Sequence, residues 1–300
     1  MIQTVFCWIR AMRLRSLPLS LSGVVLGGAF ASFDHVFSWK IFVLSLVVGV
    51  LLQILTNFAN DYGDATKGLE GALRQGPKGV VSSGVIPPKK MLQAIFFVVA
   101  LIMLFSLLLF YVSFGNNIWA WSIFSVLLLV SIWAAMSYTM GKNPYGYRAQ
   151  GDFYVFIFFG LVAVAGSYCL YGGSFYHLPG FPACAAGLLS CAVLNVNNIR
   201  DMKSDAVYGK ESLALRLGDE YARYYHVLLV LSAFLCWLVY FWVMLPNTYL
   251  LLLILYLPLA YSAYKVYTSR ETLVLDRQVD ITAASTGIFH IIVSIMLFMK

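Results

Sequence analysis

Asn57-Phe58-Ala59-Asn60-Asp61-Tyr62-Gly63-Asp64-Ala65-Thr66-Lys67-Gly68 places two carboxamides and two carboxylates where a long apolar run ends. The same logic returns far downstream in Asn197-Asn198-Ile199-Arg200-Asp201-Met202-Lys203-Ser204-Asp205, again at the close of an apolar run. Aligning Asn60-x3-Asp64 on Asn197-x3-Asp201 reveals an internal repeat, segments 57–68 and 197–205, with Asp205 one step further along and Gly68 in the equivalent place. Residues four apart on a helix differ by about 40° around its axis, so Asn197, Asp201 and Asp205 form one polar ridge if the helix runs that far. Helix capping or a solvated loop accounts for any one of these Asp residues, but not for the set. A carboxylate at membrane depth costs about 2.5–3.5 kcal/mol on insertion scales, and two acidic sets facing each other repel unless a cation lies between them. Oxygen donors without His or Cys favour Mg²⁺ over Zn²⁺.

Basic residues surround the same positions. Lys67, Arg74 and Lys78 follow the first motif, and Arg200, Lys203 and Lys210 lie in or after the second. Acid and base on one rim suit a metal-chelated polyanion such as diphosphate. The rival reading, lipid-binding or topological charge, is preferred for Lys89, Lys90, Arg270 and Arg277. A third constellation is Tyr138-x3-Lys142 with Gly151-Asp152 after it. On a helical end Tyr138 and Lys142 would point the same way, offering a phenol and an ammonium to a leaving oxygen, although both types also serve as interface anchors.

The elements that position these groups follow from composition. The 300 residues are 61% hydrophobic and 11% charged, with a mean hydropathy of +0.82. This excludes an ordinary soluble domain. Apolar windows near 16–33, 40–59, 92–113, 117–138, 152–172, 180–199, 223–245, 247–267 and 281–299 predict nine helical spans, each near the roughly 20 residues a crossing needs. The fold expected is all-α, a polytopic bundle forming one domain over 1–300. Of 20 Lys and Arg, 18 fall on one side of that assignment, Lys40 and Lys300 being the two exceptions. The positive-inside rule then puts the N-terminus in the cytoplasm and the C-terminus outside. Of 13 acidic residues, all but Asp34 share the basic side. Acidic residues have little influence on topology, so something other than orientation put them there. The five cysteines lie in or near apolar runs without C-x-x-C spacing and read as small core residues.

Taken together these strings resemble the UbiA superfamily of intramembrane prenyltransferases, over nearly the whole chain. Asn60-Asp61-x2-Asp64 resembles its first aspartate-rich motif, Asp201-x3-Asp205 the second, and Tyr138-x3-Lys142 its Y-x-x-x-K motif. Val80-Val81-Ser82-Ser83-Gly84, the Gly151–Gly160 segment and Gly209-Lys210-Glu211-Ser212-Leu213-Ala214 point to the branch that prenylates a dihydroxynaphthoate. Gly68 stands where the wider superfamily has another Asp, and Glu70 where this branch has Asp; the loop Met140-Gly141-Lys142-Asn143-Pro144 also differs from the branch's usual string.

The resemblance implies a nine-helix bundle in a bacterial inner membrane with its site facing the cytoplasm. It implies Mg²⁺ held by Asn60, Asp61, Asp64, Asn197, Asp201 and Asp205, with Asp64, Asp201, Tyr138 and Lys142 as the catalytic group. Polyprenyl diphosphate and 1,4-dihydroxy-2-naphthoate are the implied substrates, membrane lipid is a partner, and no nucleic acid is expected. Asn57 and Asp152 are candidates for the acceptor side, Asp152 also reading as a helix N-terminal charge. Two alternatives remain open: transfer to 4-hydroxybenzoate, homogentisate or haem, and a cation-coupled transporter, whose acids should lie near the membrane midplane.

Overall fold

A computed structural model describes residues 2–68, 79–172 and 179–300. In chain order its helices are α1 (Ile2–Met12), α2 (Leu17–Phe33), α3 (Trp39–Thr66), α4 (Pro88–Phe114), α5 (Ile118–Ser137), α6 (Gly151–Cys169), α7 (Gly180–Val207), α8 (Leu213–Leu217), α9 (Asp219–Met244), α10 (Asn247–Thr268) and α11 (Thr272–Phe298). Eight of them, α3 to α7 and α9 to α11, are long and apolar enough to cross a membrane. The 17-residue α2 follows α1 at a bend of 56°, and the pair, if counted as one broken span, brings the number to nine by length and composition. Among the described residues there is no strand, only an isolated bridge between Arg148 and Glu211. The chain is thus the expected multi-pass helical bundle.

Three spans run further than hydropathy alone indicates. The helix predicted over 40–59 continues to Thr66, the one over 180–199 continues to Val207, and the one over 281–299 starts at Thr272. Hydropathy windows stop at the first cluster of polar residues, whereas helical hydrogen bonding carries on where a neighbouring helix still packs. Both aspartate motifs are therefore helical, and two acids, Asp276 and Asp280, stand on the first turns of α11.

α7 is the most enclosed span. It packs against α6, α9 and α11, while α2 packs against α3, α6 and α11. Alternation of the spans brings the ends of α3, α5 and α7 and the starts of α6, α9 and α11 to one face. Local bonds fix that face: Arg223, 2% exposed, binds Asp219 at 2.7 Å and the Ser269 carbonyl at 2.6 Å, joining the start of α9 to the end of α10. Within α6, residues 156–166 take the wide π-helical turn, a rare form that is frequent at functional sites. Phe158, Phe159, Val162 and Ala163 of this stretch line the cavity described next.

Candidate active site

A cavity of about 510 Å³ opens between the two motif-bearing helices. Asn57, Asn60 and Asp64 of α3, Asn197, Asp201 and Asp205 of α7, and Tyr138 all line it. Lys210, Arg13 and Asp280 complete its polar end. From there the lining turns apolar through Leu52, Val48 and Phe159 to Leu109, Phe110, Phe124 and Leu170, beside the opposite ends of the spans. Asn60 and Ser45 both lie on the wall, and fifteen residues of α3 separate them, about 22 Å at 1.5 Å per residue.

On α7 the predicted ridge forms, since Asn197, Asp201 and Asp205 are on one continuous helix and one wall. Each carboxylate there has a cation. The Arg200 Nε and Nη2 atoms each donate to one Asp201 oxygen at 2.8 Å, and Lys210 Nζ lies 3.0 Å from Asp205. Arg200 Nη2 also donates to Asn197 at 2.6 Å, and Nη1 to Asp276 of α11 at 2.6 Å. Arg200 is 9% exposed and does not line the cavity. The expected diphosphate-binding role is thus taken over by internal pairing, because all three of its nitrogens face protein acceptors.

On α3 the expectations divide. Asp64 accepts a hydrogen bond from the Tyr147 hydroxyl at 2.7 Å, and Asn60 accepts one from Thr139 at 3.3 Å. Asp61, 1% exposed, is turned out of the cavity and accepts from the backbone N–H of Val80 at 3.0 Å and of Val81 at 3.2 Å. Its displacement follows from helix geometry, as it sits about 100° round the axis from Asn60. Asn57, 4% exposed, donates to the Met12 carbonyl at 2.8 Å and so ties α1 to α3. Gly63 allows the close approach of the loop, for a Cβ there would lie 2.6 Å from Thr139 Oγ1.

Tyr138 faces the cavity, but Lys142 does not accompany it. Helix α5 ends at Ser137, and Gly141 turns the chain with φ of +87°. Lys142 is exposed in a separate depression with Lys67, Tyr147 and Arg148. Lys67 lies over the Tyr147 ring, 4.6 Å from its centroid. Burial pulls the Lys67 ammonium below its ordinary range, against the opposing effect of Asp64. Burial, helped by the negative charges of Asp152, Asp64 and Asp205, raises the Tyr138 phenol well above its usual range. Burial and the adjacent Asp64 do the same for Tyr147. Both therefore stay protonated as donors.

Asp152 lies off the cavity, 7% exposed, accepting from the Tyr225 hydroxyl of α9 at 3.3 Å. Lys203 is exposed and absent from the wall, whereas Lys210 is on it. Arg74 and Lys78, with Glu70, fall outside the described residues. Sequence reasoning gave no role to Tyr147 or Thr139, although both stand in the stretch from Tyr138 to Asp152 that it picked out, and Asp276 and Asp280 carried no signal at all.

Among the described residues no three acidic, His or Cys side chains gather tightly enough to cage a metal ion. Carboxylates and carboxamides instead face a shared opening from two sides. That donor set fits Mg²⁺, which keeps water ligands and is held through one or two carboxylates with substrate phosphates completing the shell.

The family model for the UbiA prenyltransferase family matches residues 21–276. The chain is 40% identical over 229 residues to the 1,4-dihydroxy-2-naphthoate octaprenyltransferase of Escherichia coli strain K12, covering 76% of this chain and 74% of that one. It is 38% identical over 216 residues to the protein of the same name from Mycobacterium tuberculosis, covering 72% and 71%. A UbiA homolog from Archaeoglobus fulgidus bound to GPP and Mg²⁺ superposes with a TM-score of 0.69 at 14% identity, over 98% of this chain and 100% of that one. The apo UbiA homolog from Aeropyrum pernix K1 gives 0.71 at 14% identity, over 93% and 98%.

Proposed function

The chain belongs to the UbiA prenyltransferase family, and from that premise we propose that it transfers a polyprenyl group from polyprenyl diphosphate to 1,4-dihydroxy-2-naphthoate with release of diphosphate and CO₂, giving the quinol form of demethylmenaquinone. The observation that carries this reading is the cavity's division: carboxylates and carboxamides of both motifs at one end, an apolar passage behind them. A diphosphate ester of a long hydrocarbon has the same division. The relatives' names supply the acceptor.

In this reading Asn60, Asp64, Asn197, Asp201 and Asp205 would hold Mg²⁺, which would supply Lewis-acid neutralisation of the leaving diphosphate. Lys210 sits beside Asp205, in position to share its charge with a departing phosphate oxygen. Tyr138, kept protonated by burial, donates a hydrogen bond to the ester oxygen as the carbon–oxygen bond breaks. Tyr145, Tyr154, Phe158 and Phe159 on the wall keep water from the allylic cation and present π-faces to it. The ring carbon bearing the carboxyl group attacks that cation, a carbon–carbon bond forms, and the carboxylate departs as CO₂ to restore aromaticity. Asp61 and Asn57 act as positioning residues for α3.

Residues 1–300 work as one transmembrane domain, with the polar end of the cavity at the cytoplasmic face of a bacterial inner membrane. The distribution of 18 of 20 Lys and Arg supports that orientation. Membranes containing the chain, given Mg²⁺, polyprenyl diphosphate and dihydroxynaphthoate, are expected to form the decarboxylated prenyl product. Turnover of 4-hydroxybenzoate with none of the naphthoate would overturn the acceptor assignment.

A further inference from the structure

Arg200 is the point where the second motif meets a helix that carries neither motif. Its Nε/Nη2 edge meets both oxygens of Asp201, while Nη1 is drawn the other way, to Asp276 of α11 at 2.6 Å. The Arg200 side chain is 6% exposed and that of Asp276 54% exposed, so a buried cation is shared between an acid on the cavity wall and one at the surface. The three charges sum to minus one.

We propose that Asp276 is a positioning residue for the metal-binding carboxylate Asp201. Two effects follow from the geometry. Anchoring Nη1 fixes the plane of the guanidinium, and with it the orientation of the Asp201 carboxylate, leaving its outer lone pairs toward the cavity. Sharing Arg200 also leaves net negative charge at the motif; without Asp276, Arg200 and Asp201 would form a neutral pair with little attraction for a divalent cation. The residue thus does for Asp201 what an outer-shell carboxylate does for a ligating His in other metal sites. Because α11 also contributes Val279, Asp280 and Ala283 to the cavity wall, the contact couples the metal-holding end of α7 to the helix closing the other side.

The inference rests on the reading of the chain as a metal-dependent prenyltransferase, and its test does not depend on the acceptor. Full-length chain in detergent, with farnesyl S-thiolodiphosphate bound as a cleavage-resistant diphosphate, is titrated with Mn²⁺ and followed by electron paramagnetic resonance. Asp276→Asn is expected to weaken Mn²⁺ binding by about 10-fold, the lower end of outer-shell effects, and Asp276→Glu to restore it. Asp276→Ser, a second neutral variant at this exposed position, should match Asp276→Asn. Thermal melting is recorded for each. Unchanged Mn²⁺ affinity alongside a lowered melting temperature would make the contact a plain staple between α7 and α11 and overturn the proposal. Equal weakening in Asp276→Glu and Asp276→Asn would also overturn it, since charge would then not be the cause. A chain that prenylates a different acceptor yet still shows the Asp276→Asn weakening separates the two readings, refuting the acceptor and keeping the inference.

Discussion

The two aspartate motifs are alike in sequence and differ in what holds them. At the end of α7, Asp201 and Asp205 are gripped by Arg200 and Lys210, and Arg200 is fastened to a second long helix. At the end of α3, Asp64 takes the hydroxyl of Tyr147, Asn60 that of Thr139, and Asp61 two backbone N–H groups of the 79–84 turn. Asp201 is therefore set by packed helices, whereas Asp205, through Lys210 of the connection after α7, and the acids of the first motif are held by connections between helices. Rigid elements position charge; connections can yield when substrate arrives. The repeat thus supplies two similar ligand sets with different mechanical support.

The largest effect should come from the motif acids shared by both halves. Asp64→Asn and Asp201→Asn are each expected to lower kcat/KM for prenyl transfer by about 100-fold or more, measured with purified chain and Mg²⁺. A large loss in one and none in the other would show that a single half carries the metal. Next is Arg200→Met, which strands Asp201 as a buried acid and should cost about 3–5 kcal/mol of stability, read from unfolding in detergent. Asp61→Asn should cost roughly 2 kcal/mol through its two charged hydrogen bonds, while leaving Mn²⁺ affinity unchanged; weakened Mn²⁺ binding would return Asp61 to the ligand set. Tyr147→Phe should cost only about 1 kcal/mol.

The smallest expected effect concerns pH. The folded-state phenols of Tyr138 and Tyr147 titrate above the ordinary 10.0, so the folded chain holds these protons where the unfolded chain has begun to lose them. Their contribution to stability is level up to about pH 10 and falls above it. The transfer rate should accordingly show no alkaline limb assignable to these phenols below pH 10.0; Tyr138→Phe, compared across that range, checks it.

The sequence made the bundle legible because apolar runs of the needed length leave few alternatives, and the repeat made both motif-bearing helices legible. What it hid were directions and distant partners. Asp61 and Asp64 are equivalent as letters, and their places round the helix separate them: Asp64 stays in line with Asn60, while Asp61 points to where Val80 and Val81 return to the helix end. Lys142 stood at helical spacing from Tyr138, but Gly141 ends the regularity between them. Asp152 is drawn toward Tyr225, 73 positions away, and Arg200 toward Asp276, 76 positions away. Such pairs depend on which helices become neighbours, which no local pattern encodes.

The cavity's charged groups all stand at one end, and its far end is lined by hydrocarbon side chains with a few serine hydroxyls, Ser45, Ser106 and Ser167, among them. Diphosphate can then be loaded and released only through the opening where its ligands stand, on one side of the bilayer. No charge crosses the membrane in a turnover. Moving one elementary charge across 100 mV would be worth about 2.3 kcal/mol, and this architecture never engages that lever. Catalysis should therefore proceed at the same rate in energised and de-energised vesicles, indifferent to the voltage across the membrane in which it takes place.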